Sequence, residues 1–202
     1  KVNTTEMRNG TVRQSLDKSL SDLGLKYLDL VLIHWPVEGH IKETWQILEE
    51  YVDNGKIRSI GLSNFNPHHI DSLLVYARVR PVINQIEIHP YMTQIDKSGY
   101  NFQQNIQTEA WGPLGQGTTE ELKDPVIGKM AKQHGKSIAQ IILRWHMQRG
   151  LVTIPRCDND IYTEENIDIF DFELSAAEME IITGLNRNQR TNTLNNPDNF
   201  PW

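Results

Sequence analysis

Five short apolar runs rich in β-branched residues recur along this 202-residue chain, and polar, aromatic or turn residues close each of them. Helical patterns lie between the runs, and the first four runs begin about 25 to 30 residues apart, the length of one strand–helix unit. Strands that are apolar on both faces and alternate with helices are typical of a parallel sheet covered by helices. The runs are 27–36, 57–64, 81–90, 106–115 and 150–157.

The segments between the runs carry helix signals. Asn66 followed by Pro67 predicts a helix start, and Ser175 with Glu178 forms the capping box of a last helix ending near Gly184. In segment 93–104, Gly99 and the lack of an apolar face lead us to expect no long helix. The predicted inward-facing residues are Val12, Leu16, Leu20 and Leu23 before Gly24, Trp45, Leu48 and Val52 before Gly55, Ile70, Leu73 and Leu74 after Pro67, and the apolar helix 137–148 before Gly150.

Charge and composition exclude several classes of protein. The net charge is −6 and there is no run of Lys and Arg, which argues against nucleic acid and anionic membrane as partners. No apolar run has membrane-spanning length, and the first residues carry no secretory signal pattern. Cys157 is the single cysteine, which fits a reducing compartment. We therefore expect a cytoplasmic protein.

Polar and aromatic residues follow all five apolar runs. They are His34-Trp35, Ser63-Asn64, residues 85–89, Trp111 and Pro155-Arg156. The carboxyl ends of parallel strands meet at one edge of a sheet, where loops converge on a ligand. The pattern therefore favours one site that holds an extended ligand.

Six segments occur in an order that resembles the aldo-keto reductases: LDLVLIHWP, GLSNF, NQIEIHP, EAWGPLGQG, AQIILRWHMQRG and TIP. The resemblance covers essentially the whole chain and implies a (β/α)8 TIM barrel. It implies that the chain supplies strands 4–8 and their helices as a single domain, 1–202, with residues 187–202 as a tail over the pocket. The N-terminal part of the family, including strands 1 and 2, is expected to lie outside this sequence.

The resemblance implies an oxidoreductase that reduces aldehydes or ketones by hydride transfer from NADPH. His34 matches the family histidine that orients the substrate carbonyl. Lys1 precedes it by 33 residues, which agrees with the spacing of the family's catalytic lysine. The family's proton-donating tyrosine and its aspartate have no match among these residues, and none of the six tyrosines lies in the right segment.

The resemblance also implies the cofactor contacts. At the nicotinamide end, amides and a hydroxyl suit the carboxamide group, and an aromatic residue stacks on the ring. The matching residues are Ser63, Asn64, Gln85 and Trp111 for nicotinamide, Gly112, Leu114 and Gln116 for the pyrophosphate, and Ile154, Pro155, Arg156, Cys157, Glu165 and Asn166 for the adenosine end.

Some positions depart from the family pattern at the adenosine end. Cys157 stands where a serine is usual and Tyr162 where an arginine is usual, while Asp158 and Asp160 add negative charge. Arg156 could still pair with a 2′-phosphate. We expect NADPH, with NADH as the open alternative.

The substrate end rests on fewer residues. Trp35 is expected to line the pocket, with packing at the rim as the alternative. Trp202, the candidate substrate contact of the tail, and Phe200 either contact substrate or hold the tail in place. No metal site is expected, because His68 and His69 are adjacent rather than one helical turn apart. The partner is then a small carbonyl compound, and the sequence does not indicate an oligomeric state.

Two other interpretations stay open. The first is a catalytically silent barrel protein or fragment that binds the nicotinamide cofactor, since the tyrosine is not among these residues. The second is a five-stranded doubly wound α/β domain, which five strands could complete unaided. The ordered segments favour the barrel.

Overall fold

A computed structural model of the chain describes residues 1–157 and 159–200 and shows helices alternating with strands. Each strand is shorter than the apolar run that predicts it, because the polar and turn residues at the run ends leave the ladder. The strands are β1 Leu28–Ile33, β2 Ile57–Ser63, β3 Ile83–Glu87, β4 Gln107–Trp111 and β5 Val152–Ile154. The helices are α1 Thr4–Asn9, α2 Val12–Leu23, α3 Ile41–Asp53, α4 Pro67–Leu74, α5 Ile95–Gln103, α6 Pro125–His134, α7 Ile138–Gln148, α8 Asp160–Ile167 and α9 Ala176–Thr183, with short 3-10 helices at Gly115–Gly117 and Glu121–Lys123.

The strands form a parallel sheet in the order β1-β2-β3-β4-β5, which confirms the predicted parallel α/β class. Ile33 pairs with Leu62 between β1 and β2, and Ser63 pairs with Gln85 between β2 and β3. Trp111 pairs with Ile154 between β4 and β5. The register therefore places the polar end of each strand beside the polar end of a neighbour.

The chain divides into two compact units, each with its own core. The first comprises residues 1–85, 97–107 and 196–200, and the second comprises 86–96 and 108–195. A fully buried tryptophan lies in each core: Trp45 in the first donates its indole N–H to Val79 O (3.1 Å), and Trp145 in the second donates to Thr183 Oγ1 (3.1 Å). Among the described residues, no helix has both the length and the apolarity to cross a bilayer.

Most predicted helix ends are confirmed. Gly24 ends α2 with φ +64°, Asn66 and Pro67 begin α4, and Ser175 caps α9. The prediction for Leu23 is wrong, since its side chain is 61% exposed. Leu23 is the last residue of α2, and the buried residues of this helix end at Leu20.

The expectation of no long helix in segment 93–104 is also wrong. The nine-residue helix α5 forms there, and Gly99 within it faces open space. Asn101 is buried and accepts a hydrogen bond from Asn84 Nδ2 (3.3 Å), while Tyr100 donates to Asp71. One buried and one exposed polar contact therefore dock this helix, and Tyr100 also packs against the first core.

Candidate active site

Lys1 is held beside the carboxyl end of β1 by its neighbour. Val2 pairs with Ile33 in a parallel bridge, donating its N–H to Leu32 O (2.9 Å) and accepting from His34 N–H (3.0 Å). The Lys1 ammonium donates a hydrogen bond to Gln85 Oε1. The lysine selected from its spacing therefore lies within the first unit's group of candidate residues.

Three buried polar residues lie at the end of β2 and within β3: Ser63 is the last residue of β2, Asn64 follows it, and Gln85 lies two residues before the end of β3. Ser63, Asn64 and Gln85 are each at most 5% exposed. Asn64 donates its backbone N–H to Gln85 O (2.9 Å) and its side-chain amide to His34 O (3.0 Å) and Ser63 Oγ (3.1 Å). Its φ of +63° is a left-handed conformation that asparagine tolerates better than most residues. These contacts join the three strand ends of the first unit.

His34 is kept neutral at physiological pH. Burial, and then the positive charge of Lys1, lower the pKa of His34 to about 4. Its Nδ1 lies 3.0 Å from Asn3 Oδ1, an interaction that sequence reasoning missed. The sequence around Asn3 indicates only a local role, since Asn3 forms a capping box with Glu6 at the start of α1.

Trp35 packs against the C-terminal segment. Its side chain is buried, and its ring stacks on Phe200 at 3.8 Å with an interplanar angle of 7°. Of the two roles left open for Phe200, the stack supports holding the segment in place. Trp202, the other predicted substrate contact, lies outside the described residues.

Asp198 anchors the same segment at the start of α4. Its Oδ1 accepts from Asn66 Nδ2 (2.6 Å) and lies 3.3 Å from His68 Nε2 and 3.7 Å from His69 Nε2. The two histidines and Asp198 thus come within reach of a single metal ion. However, His69 Nδ1 accepts the Asn66 backbone N–H (3.1 Å), so the neutral ring carries its proton on Nε2. A metal there would have to displace both that proton and the Asn66 contact, so we interpret the cluster as an anchor for the tail.

In the second unit, Trp111 leads into a tight loop. Gly115 N–H closes a turn on Gly112 O (2.9 Å), and φ is positive at Gly112, Gly115, Gln116 and Gly117. Gly112 has a φ of +59°, a left-handed conformation that glycine adopts without the steric cost of a Cβ. The Gln116 side chain lies over Gly112, and Leu114 is half-buried. The loop brings the predicted pyrophosphate positions together.

Strand β5 pairs with β4 in the same unit, and its last residue, Ile154, lies opposite Trp111. Pro155 and Cys157 are half-buried and Arg156 is exposed. Asn159 then caps α8 with its side-chain oxygen, accepting from Ile161 N–H (2.8 Å). Glu165 and Asn166 are half-buried on α8. The predicted adenosine-end residues therefore fall on one strand end and the helix after it.

Known proteins share the sequence pattern of this chain. The aldo/keto reductase family profile matches residues 1–187. The chain belongs to the aldo/keto reductase family. A glyoxal reductase of Bacillus subtilis is 47% identical over 188 residues, covering 93% of this chain and 67% of that protein. The chain spans about two thirds of the length of the curated relatives that it matches.

Solved aldo-keto reductases have the same fold. An enzyme from a Medee basin deep-sea metagenome library gives a TM-score of 0.90 at 34% identity, covering 94% of this chain and 70% of that one. A Bombyx mori aldo-keto reductase, solved in complex with NADP, gives 0.86 at 34% identity, covering 96% of this chain and 69% of that one. The resemblance inferred from the six segments is confirmed.

Proposed function

We propose that the chain is the cofactor-binding and carbonyl-orienting part of an NADPH-dependent carbonyl reductase, contributed as one domain with strands 4–8 of a (β/α)8 barrel. The observation that carries the proposal is the joining of three strand ends in the first unit. His34, Asn64 and Gln85 are linked there by hydrogen bonds, and Lys1 donates to Gln85. Relatives named as reductases, one of them solved with NADP, support the same activity.

The donor set fits a nicotinamide. A carboxamide offers two donors and one acceptor, and buried Ser63, Asn64 and Gln85 present hydroxyl and amide groups of both kinds. Trp111 offers a partly exposed ring for stacking. NADPH, when bound, supplies the hydride.

The chain's own residues would position the carbonyl group. As hydride reaches the carbonyl carbon, negative charge develops on its oxygen and needs a donor. The pKa of His34 is about 4, so its ring is neutral at physiological pH and, in the tautomer with the proton on Nε2, donates a hydrogen bond without acting as a competing acid. The family's tyrosine and aspartate have no counterpart in these 202 residues, so complete turnover is proposed for a polypeptide that also carries them.

The adenosine end favours NADPH over NADH. Arg156 is exposed three residues before Asn159, the N-cap of α8, and its guanidinium can pair with a 2′-phosphate. Asp160 in the first turn of α8 opposes that preference. The substrate is then a small carbonyl compound, and we expect a cytoplasmic location.

Cofactor titration tests the proposal. Calorimetry should show saturable binding of NADPH to the chain, weaker binding of NADH, and a roughly tenfold loss for Gln85→Leu, about 1.4 kcal/mol. Gln103→Leu, the same substitution at an exposed position at the end of α5, is the matched control. No saturable binding of either nucleotide would contradict the proposal.

A further inference from the structure

Three ionisable residues of the second unit are buried together outside the predicted site. Glu87 ends β3, His89 follows it, and Glu121 lies in the 3-10 helix after the 112–117 loop; none is more than 2% exposed. His89 Nδ1 lies 2.9 Å from Glu121 Oε1, and His89 Nε2 lies 3.4 Å from Glu87 Oε1. One imidazole therefore bridges two carboxylates.

Glu121 lies directly under the 112–117 loop. A methyl group on Gly115 would overlap both the Glu121 carboxylate and the Thr119 hydroxyl. Within the described part of the chain, neither Glu121 oxygen receives a hydrogen bond of regular geometry. His89, at 2.9 Å, and then Thr119 are therefore the groups that compensate this buried carboxylate, and loss of His89 should let Glu121 and the loop above it shift.

Glu87 connects the same cluster to the C-terminal segment. Its Oε1 accepts the Thr191 backbone N–H (2.6 Å), and its Oε2 lies 3.5 Å from Arg190. Thr118, at the end of the loop, donates its hydroxyl to Thr191 O (3.2 Å). The segment around Thr191 and the 112–117 loop thus both contact the buried cluster of Glu87, His89 and Glu121.

The two carboxylates favour the protonated form of His89. Burial alone would lower the pKa of His89, but Glu121 and Glu87 together raise it above its ordinary value. Burial would raise the pKa of Glu121, yet the contacts with His89 and then Thr119 hold it below its usual range. The Arg190 guanidinium faces Glu87 from the C-terminal segment.

We propose that His89 is a positioning residue that couples the 112–117 loop to the segment around Thr191. It holds Glu121 under the loop and Glu87 against the segment. An ordered loop therefore stabilises the ordered conformation of the segment, and an ordered segment stabilises that of the loop. Its effect on nucleotide affinity rests on the function proposed above, because that function assigns the pyrophosphate to this loop. The coupling between loop and segment does not depend on that assignment.

Amide hydrogen exchange on His89→Gln tests the coupling without cofactor. Exchange should rise at least tenfold at residues 115–121 and at Thr191, with the remaining amides of the unit unchanged. His134→Gln is the matched control, because it breaks another His–Glu pair of the same unit, 2.8 Å from Glu178, that joins α6 to α9. Loop exchange equal to that of the control would overturn the proposal.

Nucleotide binding provides the second measurement. The Kd for NADPH should rise about tenfold in His89→Gln and stay unchanged in His134→Gln. NADPH should slow exchange at Thr191 in the wild type and in His134→Gln, but not in His89→Gln. If the wild type binds no NADPH, the proposed function fails while cofactor-free exchange still decides the coupling. If His89→Gln does not fold, Glu121→Gln keeps the side-chain shape and should give the same local pattern more weakly; a uniform change across the unit would overturn the coupling.

Discussion

His34 Nδ1 lies 3.0 Å from the side-chain oxygen of Asn3, so Asn3 selects the tautomer of the candidate catalytic imidazole. With Oδ1 facing the ring, the proton is on Nδ1 and Nε2 keeps a lone pair. Donation from Nε2 to a carbonyl requires the Asn3 amide to turn over and present Nδ2. The capping residue of α1 therefore controls the direction of hydrogen bonding at His34.

Replacing Asn3 with aspartate should raise the pKa of His34 well above its value of about 4, because a carboxylate would face Nδ1. Titration of the His34 ring by NMR measures this shift directly and needs no turnover. Asn54→Asp, just past α3, adds the same charge elsewhere in the first unit. If both variants leave the pKa of His34 unchanged, Asn3 does not control the ring.

Asn64 should tolerate glycine better than alanine. Both substitutions remove the hydrogen bonds to His34 O and Ser63 Oγ, but only alanine has to hold φ at +63° with a Cβ. We expect Asn64→Ala to be less stable than Asn64→Gly by about 1 kcal/mol. Urea denaturation of the two variants measures the difference, and equal stability would contradict the backbone argument.

Gly115 should be much less replaceable than Gly117. Both have positive φ, but a methyl group at Gly115 would overlap Glu121 and Thr119, whereas one at Gly117 meets nothing within 4 Å. Gly117→Ala should cost about 1 kcal/mol in unfolding free energy, from backbone strain alone. Gly115→Ala should cost clearly more, because the buried carboxylate must also move. Thermal unfolding of the pair provides the comparison.

His69 should weaken the fold in acid. Burial, and then the charge of His68, lower the pKa of His69 to about 4 from an ordinary 6.5, and its Nδ1 accepts the Asn66 N–H. The unfolded chain therefore binds more protons between these values, so this contribution is complete above pH 6.5 and is lost as the pH falls toward 4. The loss is at most about 1.4 kcal/mol per pH unit. The unfolding free energy of His69→Gln should fall less steeply over this range; parallel profiles would contradict the assignment.

Local sequence patterns predicted the elements that depend on local physics. The strand runs, the Asn66–Pro67 helix start and the Ser175–Glu178 capping box involve neighbouring residues, so their signals are visible in the sequence. Helix α5 was missed because its support, Asn101 against Asn84, joins residues of different elements. Leu23 was misplaced because periodicity does not show where packing stops.

The same distinction applies to the candidate site. Residues at strand ends could be selected from the order of motifs, and Lys1, His34 and Gln85 lie in the same compact unit. The partners Asn3, Glu121 and Asp198 could not be selected, since each acts across many residues of sequence. Their contacts appear only once the chain is folded.

Hydride transfer is the most direct test of the central claim. The polypeptide is purified at the length at which its source organism makes it. It is incubated with a small aldehyde and with NADPH that carries deuterium at the transferable position, and the alcohol product is analysed by mass spectrometry. We expect deuterium on the carbinol carbon and at least a tenfold lower yield with His34→Leu. Unlabelled alcohol, or no alcohol above the protein-free control at saturating NADPH, would contradict the claim.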